Sequence, residues 1–117
     1  MVLVDTSVWI SHLRAGEATL VKLLSSGMVL MHPFVRGELA CGHLRNRQMF
    51  LSDLAALPAA NSASTDEVLA LIEQHKLSGR GLGWIDMHLI ASALLSHARL
   101  WSLDKNLSSV ASQLKLS

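Results

Sequence analysis

The chain has 117 residues, of which 50% are hydrophobic and 16% charged, and its formal net charge is +1. This length and composition predict one domain over residues 1–117 and exclude a disordered tail. The balanced charge excludes nucleic-acid binding by bulk charge alone, so such a partner needs a local patch. The one cysteine, Cys41, excludes an internal disulfide and a zinc site of several thiolates, and we expect it to be a small buried residue.

The N-terminal apolar run differs from a secretory signal. Asp5 interrupts it after four residues, and no basic region precedes it. No apolar run in the chain approaches the roughly 18 to 20 residues that a membrane span requires. A reducing cytoplasm is therefore the expected location, and the single cysteine agrees with it.

The first half of the chain alternates short apolar strands with helices. VLV at 2–4 is continuously apolar, which is typical of a strand buried on both faces. Ser7 can cap the helical pattern that follows, Gly27 suits a helix end, and Pro33 suits a helix start. We predict strands at 2–4 and 28–31, and helices from Ser7, over 17–26, over 33–45 and over 47–57.

The second half continues this alternation. AANSA at 59–63 has room for only a short strand. Thr65 followed by Asp66 and Glu67 predicts a helix start, because a capping oxygen and two acids oppose the dipole of the first turn. We predict a helix at 66–77, the loop SGRGLG, a helix at 84–97, a strand at 99–103 and a final short helix at NLSSVASQL. Strands alternating with helices predict an α/β/α sandwich with a central parallel sheet.

Four acids share a joint pattern of positions. Asp5 and Asp104 each end an apolar strand, and ligand sites of open α/β sheets lie beyond the carboxyl ends of the strands. Asp86 lies in the first turn of a helix, on the apolar stripe that faces the sheet, and Glu38 also shares its helix face with apolar neighbours. One such acid alone is more often an edge residue or an ion-pair partner. The four together predict a site.

These carboxylates cannot all stay ionised in one crevice without help. Two unit charges about 4 Å apart repel by about 4 kcal/mol at an effective dielectric of roughly 20, so the cluster takes up protons or binds cations. Oxygen ligands without thiolates favour Mg²⁺ or Mn²⁺. The six histidines show no ligand spacing. The remaining acids do not share the positions of these four, and we expect them to be solvated or to cap helices: Glu17, Asp53, Asp66, Glu67 and Glu73.

These segments resemble the PIN-domain ribonucleases, and among them the VapC-type toxins of bacterial toxin–antitoxin pairs. The resemblance runs nearly end to end and rests on Asp5 in VDTSVWI, Glu38 in RGELACG, Asp86 in GLGWIDMHLIASALL and Asp104 in LWSLDKNL. It implies a PIN-like three-layer α/β/α fold in which these four acids are catalytic and hold Mg²⁺, with Mn²⁺ as the alternative.

Hydroxyl residues accompany the acids in this resemblance. Thr6 or Ser7 would match the family's hydroxyl beside the first aspartate, which supports the water at the metal or caps the following helix. Ser102 stands where many relatives have threonine, and Leu107 where phenylalanine is common. Neither difference removes a carboxylate, so the motif is that of an active enzyme.

The resemblance also implies an activity and partners. It implies an Mg²⁺-dependent endoribonuclease, the toxin component of a VapBC-type system, which hydrolyses RNA phosphodiester bonds with a metal-activated water. A VapB-type antitoxin would place a basic side chain among the carboxylates, and the protein would form a homodimer. The apolar helices within 7–26 and 33–57 would supply both contact surfaces.

Basic side chains are the candidates for contacts with RNA phosphates. Arg80, in a glycine-flanked loop close in sequence to Asp86, is the preferred candidate, followed by Arg14 and Lys105. Each of them alone is more often a solvated surface residue. The other candidates are Arg36, Arg45 and Arg47, and HLRNR at 43–47 is the densest basic stretch.

Other functions remain open at this point. A receiver domain would use Asp5 for Mg²⁺, Asp53 as phosphoacceptor and Lys105 as its lysine, but it needs two adjacent acids after the first strand, where Thr6 follows Asp5. A haloacid-dehalogenase-type phosphatase would need an aspartate where Ser7 stands. A non-catalytic binding module, whose acids anchor a partner's arginines, is the remaining alternative.

Overall fold

Three parallel strands form the centre of the computed structural model, which describes residues 1–117. They are β1 (Val2–Val4), β2 (Val29–Leu30) and β3 (Arg99–Trp101), in the spatial order β2-β1-β3. In the central strand, Leu3 pairs with Leu30 on one side and with Leu100 on the other. Leu3 and Val4 are fully buried, which explains why the strand is continuously apolar.

Six helices connect the strands and a seventh follows β3. They are α1 (Thr6–Ala15), α2 (Ala18–Ser25), α3 (Pro33–Ala40), α4 (Arg47–Ala56), α5 (Thr65–Gln74), α6 (Trp84–Leu95) and α7 (Lys105–Gln113). Helices α1 and α2 join β1 to β2. Helices α3 to α6 join β2 to β3, so this connection crosses back over β1. Because such crossovers are right-handed and the two run in opposite directions, helices cover both faces of the sheet, and α1 also contacts α3. The predicted α/β/α sandwich with a central parallel sheet is confirmed.

Helix α6 is the most deeply buried helix of the fold. Every residue from Met87 to Ala93 is buried, including His88 and Ser92. A helix that packs on several sides at once needs apolar residues around most of its circumference. This requirement explains the sequence MHLIASA at its centre. No helix of the protein, α6 included, has both the length and the apolar character that a membrane crossing requires.

Two helix starts differ from the predicted ones. Asp5, not Ser7, is the N-cap residue of α1. Helix α5 is capped by Ser64, whose hydroxyl accepts the N–H of Glu67 while the Glu67 carboxylate accepts the N–H of Ser64. This capping box satisfies two N–H groups at once, so the helix starts at Thr65 rather than being capped by it.

The helix predicted over 33–45 ends at Ala40, because Arg47 binds the carbonyl groups at its end. The guanidinium of Arg47 donates to the carbonyl oxygen of Ala40 and, at 3.1 Å, to that of Gly42. The chain then turns towards α4. Cys41 follows the last helical residue and is exposed, so the prediction that it is buried was wrong.

The short strand considered at 59–63 is reduced to a single parallel bridge between Ala59 and Met31. Two residues after Ala59, Asn61 donates its backbone N–H to the hydroxyl of Ser96 at 2.9 Å. Its side-chain NH₂ donates to the carbonyl oxygen of Leu95 at 3.2 Å. These bonds bind the segment to the end of α6 and lead it away from the sheet edge.

Candidate active site

The carboxyl ends of β1 and β3 bring two of the predicted acids to one edge of the sheet. Asp5 directly follows β1, and its N–H donates to the carbonyl of Trp101 in β3 at 2.9 Å. Asp104 follows β3 and caps α7. Asp86 lies in the first turn of α6, and Glu38 lies near the end of α3.

Asp5 is buried, at 7% exposure, and two serine hydroxyls hold its side chain. Its Oδ2 accepts hydrogen bonds from Ser7 Oγ at 2.6 Å and from Ser102 Oγ at 2.7 Å. The two hydroxyl oxygens in turn accept the N–H groups of Leu103 and Asp104, each at 3.0 Å. Because each hydroxyl has a single proton, both protons are directed at Asp5.

The other three acids are held by one bond each. Thr6 Oγ1 donates to Glu38 Oε1 at 2.6 Å. The N–H of Gly83 donates to Asp86 Oδ2 at 2.9 Å, and the N–H of Leu107 donates to Asp104 Oδ1 at 2.9 Å. Asp86 is half-buried, whereas Glu38 and Asp104 are exposed.

The solvent exposure of Glu38 differs from the inward position that its apolar neighbours on α3 predicted. Val35 and Leu39 of the same helix are buried, so the core-facing stripe passes beside Glu38. The carboxylate remains at the rim, where the Thr6 hydroxyl orients it. Desolvation therefore acts on Asp5 and Asp86 more than on Glu38.

A common pattern emerges from these contacts. Each of the four carboxylates uses one oxygen as a hydrogen-bond acceptor within the protein, and its second oxygen accepts no hydrogen bond from the protein. An ionised carboxylate has about four lone-pair sites, so this leaves substantial acceptor capacity at each acid. The local bonds thus orient the carboxylates without saturating them.

The electrostatic environment of Asp86 includes the other three acids. Burial raises the pKa of Asp86, and the hydrogen bond from the N–H of Gly83 opposes that rise. The negative charges of Asp5, Asp104 and Glu38 raise the pKa further. Because Coulomb energy decreases with distance, three separate elements must hold these charges close to the start of α6.

The acids converge without forming a complete metal shell. No three acidic, histidine or cysteine side chains lie close enough together to hold a metal ion as they stand. A divalent ion would have to draw the free oxygens inward by side-chain rotation. The donor chemistry fits, since Mg²⁺ is bound through carboxylate oxygens and water, and a cation would relieve the repulsion at Asp86.

Ser102 binds Asp5, a contact that the sequence analysis did not predict, since it noted only that many relatives have threonine at this position. It is 8% exposed, and it joins Asp5 to the backbone of Asp104. The sequence feature that could have indicated this contact is the position of Ser102, two residues before Asp104 at the end of an apolar strand. Of the two hydroxyls that follow Asp5, that of Ser7 binds Asp5 and that of Thr6 binds Glu38.

The basic candidates occupy different surroundings. Arg80 is exposed in the loop between α5 and α6, and Asn106 of α7 connects to this loop through the carbonyl of Gly81 at 3.5 Å. Lys105 is exposed at the first position of α7, beside Asp104. Arg47 binds backbone carbonyls and so has a structural contact.

A groove between α1 and α3 opens beside Glu38. Its volume is about 340 Å³, and its lining consists of Ile10, Leu13, Arg14, Glu38, Leu39, Gly42, His43 and Leu44. Ile10 and Leu13 are 44% and 48% exposed. The groove therefore combines apolar walls with Arg14 and one of the four acids.

Asp53 lies within α4, where it is exposed, and no strand ends beside it. A receiver domain requires its phosphoacceptor at a strand end, so this position argues against that alternative. Asp53 instead behaves as the solvated residue that the sequence predicted.

Comparison with known proteins agrees with this arrangement. The PIN domain family model matches residues 2–113. Ribonuclease VapC32 of Mycobacterium tuberculosis, from strain CDC 1551 / Oshkosh and from strain ATCC 25618 / H37Rv, is 46% identical over 114 residues, which cover 97% of this chain and 92% of the relative. The chain therefore belongs to the PIN-domain family and, within it, groups with the VapC proteins.

Proposed function

We propose that this protein is an endoribonuclease that hydrolyses RNA phosphodiester bonds with Mg²⁺, as the toxin of a VapBC-type toxin–antitoxin system. PIN-family membership and 46% identity to a protein named a ribonuclease support the activity. The observation that carries the proposal is the set of four converging carboxylates, each oriented through one oxygen and free at the other.

In this proposal Asp5 is the central catalytic residue, because it is buried and held by two hydroxyls. Ser7 and Ser102 fix its orientation, and Thr6 fixes that of Glu38. Asp86 and Asp104 complete the ligand set from the starts of α6 and α7. These four acids would hold a divalent ion, which would supply Lewis-acid chemistry by lowering the pKa of a water nucleophile and neutralising charge on the phosphate.

RNA phosphates require positive charge near this acidic edge. Arg80 and Lys105 are proposed for these contacts, since each is exposed and lies in or beside an element that carries an acid of the site. Arg14 lines the groove that Glu38 shares. These three residues are proposed to position the RNA backbone, a role that carries no sequence information by itself.

A VapB-type antitoxin is the proposed protein partner. The groove between α1 and α3 suits an apolar peptide segment, because exposed Ile10 and Leu13 line it. Glu38 at its edge would attract a basic side chain of that peptide towards the carboxylates. A homodimer and a cytoplasmic location belong to the same proposal.

The proposal is tested by incubating the purified protein with total RNA, with and without Mg²⁺ or Mn²⁺. Asp5→Asn should lower cleavage at least about a hundredfold, because neutral amides replace a buried metal ligand poorly. Asp53→Asn is the matched control, since this acid is exposed and lies outside the site. Cleavage that persists without metal and in Asp5→Asn would reject the mechanism.

The same experiment separates the enzyme from a non-catalytic binding module. A module would bind RNA or a basic peptide equally well with and without the divalent ion, and it would leave the RNA intact. Intact RNA after long incubation with Mg²⁺ and Mn²⁺, together with tight peptide binding, would favour the module over the nuclease.

A further inference from the structure

Two exposed aromatic side chains pack on the same buried histidine, close in sequence to Glu38 and Asp86. The chain has three tryptophans, two phenylalanines and no tyrosine. Of these five, only Phe34 and Trp84 are exposed, at 38% and 43%. A large exposed aromatic surface is costly to leave in water, so two such side chains at one place need an explanation.

Phe34 and Trp84 come from two different helices, and each packs against the imidazole of His88. The ring centroids of Phe34 and His88 are 4.8 Å apart, and those of Trp84 and His88 are 4.6 Å apart. The ring planes stand at 66° and 84° to that of His88, which is buried at 6% exposure. Packing on His88 therefore holds both rings in place while part of each remains in solvent.

The aromatic pair, Phe34 and Trp84, lies on the same two helices as two of the four acids. Phe34 and Glu38 are four residues apart on α3 and so share a helix face. Trp84 is the first residue of α6, and Asp86 lies in the same turn. The exposed loop that carries Arg80 leads into Trp84. An aromatic surface and a candidate phosphate contact thus flank the same acids.

We propose that Phe34 and Trp84 form a stacking platform for an unpaired base of the RNA substrate, next to the bond that is cleaved. The platform rests on the proposed ribonuclease function and consists of residues that position its substrate. Bases splayed from single-stranded RNA stack on aromatic side chains, and phosphate contacts do not engage the bases themselves. Rings fixed by packing lose little conformational freedom on binding, which favours them for this role.

RNA binding is measured first, in an Asp5→Asn background, so that the result does not depend on cleavage. A short single-stranded RNA is titrated against this protein and against versions that also carry Trp84→Leu or Phe34→Leu. Leucine keeps an apolar cover over His88 but has no aromatic face. We expect affinity to fall about tenfold for Trp84→Leu and less for Phe34→Leu, with Trp84→Phe largely restoring it.

Met49→Ala is the matched control, because Met49 is 68% exposed on α4 and is not part of the site. Thermal melts followed by circular dichroism verify that each variant is folded. Equal RNA affinity in the Asp5→Asn background and in its folded Trp84→Leu and Phe34→Leu versions would overturn the platform, even when the wild-type protein cleaves RNA.

A second measurement identifies the stacked base. In a series of RNAs that each lack one base, the loss of one particular base should weaken binding to the Asp5→Asn protein. The same base loss should not weaken binding further when the protein also carries Trp84→Leu. Additive losses at every position would contradict stacking on Trp84. Quenching of tryptophan fluorescence by RNA should also fall strongly with Trp84→Leu, since Trp9 is buried and Trp101 is partly buried, which leaves Trp84 as the exposed tryptophan.

Two further outcomes distinguish the stacking platform from a dimer contact and from the nuclease activity itself. Light scattering that shows Trp84→Leu converting a dimer to a monomer, with RNA affinity per chain unchanged, would assign the pair to an interface between copies and overturn the platform. Wild-type protein that binds RNA through Trp84 but never cleaves it would reject the proposed nuclease activity while supporting the platform.

Discussion

Ser102 shows how one hydroxyl connects two acids that lie far apart in the sequence. Its Oγ donates to Asp5 Oδ2 at 2.7 Å and accepts the N–H of Asp104 at 3.0 Å. Ser7 donates to the same oxygen of Asp5, so removal of one serine leaves the carboxylate half-supported. Because one hydroxyl still holds Asp5 when the other is removed, we expect a single serine substitution to reduce activity without abolishing it.

Ser102→Ala should therefore lower kcat about tenfold with little change in KM, because Asp5 loses orientation rather than its charge. The variant should also lose about 1 kcal/mol of unfolding free energy, since it removes a buried hydrogen bond. Ser102→Thr keeps the hydroxyl and should retain most of the activity. Steady-state kinetics with Mg²⁺ test this prediction, and unchanged kcat in Ser102→Ala would contradict it.

His32 is the second residue whose surroundings predict a measurable effect. It is 1% exposed, its Nδ1 accepts the N–H of Phe34 at 3.0 Å, and its Nε2 has no hydrogen-bond partner. Burial, and to a smaller degree the nearby His88, lower the pKa of His32 from 6.5 to about 4. The folded protein thus binds fewer protons at His32 than the unfolded chain does between these two values.

Folding stability should accordingly be unaffected by His32 above its unfolded pKa of 6.5 and should fall as the pH decreases from 6.5 towards 4. At about pH 5 the loss should be on the order of 2 kcal/mol. Urea unfolding at neutral and acidic pH measures it. His32→Asn keeps a capping acceptor for the N–H of Phe34, and its stability should depend less on pH over this window. Equal pH dependence in both proteins would contradict the assignment.

Among the elements, the loop between α5 and α6 is bound closely to α7. Gly81 has φ of +79°, and a Cβ at this position would lie 2.5 Å from the side-chain nitrogen of Asn106. Gly79 has φ of +73° but has no atom within 4 Å of such a Cβ. The two glycines therefore share a left-handed backbone and differ in their contact with α7.

Gly79→Ala should cost about 1 to 2 kcal/mol of stability, from left-handed strain alone. Gly81→Ala should cost more and should also lower kcat/KM, since the displaced loop carries Arg80 and leads to Asp86. Adding Asn106→Ala to Gly81→Ala should recover part of the loss, because it removes the obstructing side chain. Chemical unfolding and RNA cleavage assays test the order of these effects, and identical losses in the two glycine variants would argue against the contact.

In the molecule as a whole, Asp86 interacts electrostatically with three acids from other elements, at a cost to stability. Burial and the charges of Asp5, Asp104 and Glu38 raise the pKa of Asp86, so ionised Asp86 destabilises the folded state at neutral pH. Because its folded pKa is raised, this cost is complete above that pKa and is relieved as the pH falls through it.

Asp86→Asn should therefore raise the melting temperature at neutral pH without metal, while it abolishes cleavage. The gain should disappear in acid, where Asp86 is protonated in the wild-type protein. The asparagine oxygen can still accept the N–H of Gly83, so the start of α6 is preserved. Asp53→Asn is the control and should leave the melting temperature nearly unchanged; a similar rise in both variants would contradict repulsion within the site.

Mg²⁺ should have the opposite effect on the wild-type protein. A metal that binds only the folded state at ten times its Kd stabilises it by about 1.4 kcal/mol. For a domain of this size that corresponds to a rise of roughly 4 to 8 °C in Tm. The Asp5→Asn protein should show little of this rise in Tm when Mg²⁺ is added. An equal response in the wild-type protein and Asp5→Asn would place the ion elsewhere.

Residue patterns alone were enough to establish the order of the elements and their layers. Short β-branched apolar runs such as VLV are typical of buried strands, and their alternation with helices favours an α/β/α sandwich. The same patterns indicated Asp5 and Asp104 as neighbours, since parallel strands present their carboxyl ends at one edge. These are local and topological properties, which the sequence encodes directly.

The groups that hold each acid in place, by contrast, follow from the folded arrangement. The bonds from Ser102 to Asp5 and from Thr6 to Glu38 join residues that are 97 and 32 positions apart, and no periodicity reports such pairs. The end of α3 at Ala40 likewise involves a contact from Arg47, seven positions further along the chain. Side-chain contacts between distant segments depend on the packed geometry of the whole chain, because it is packing that brings those segments within bonding distance.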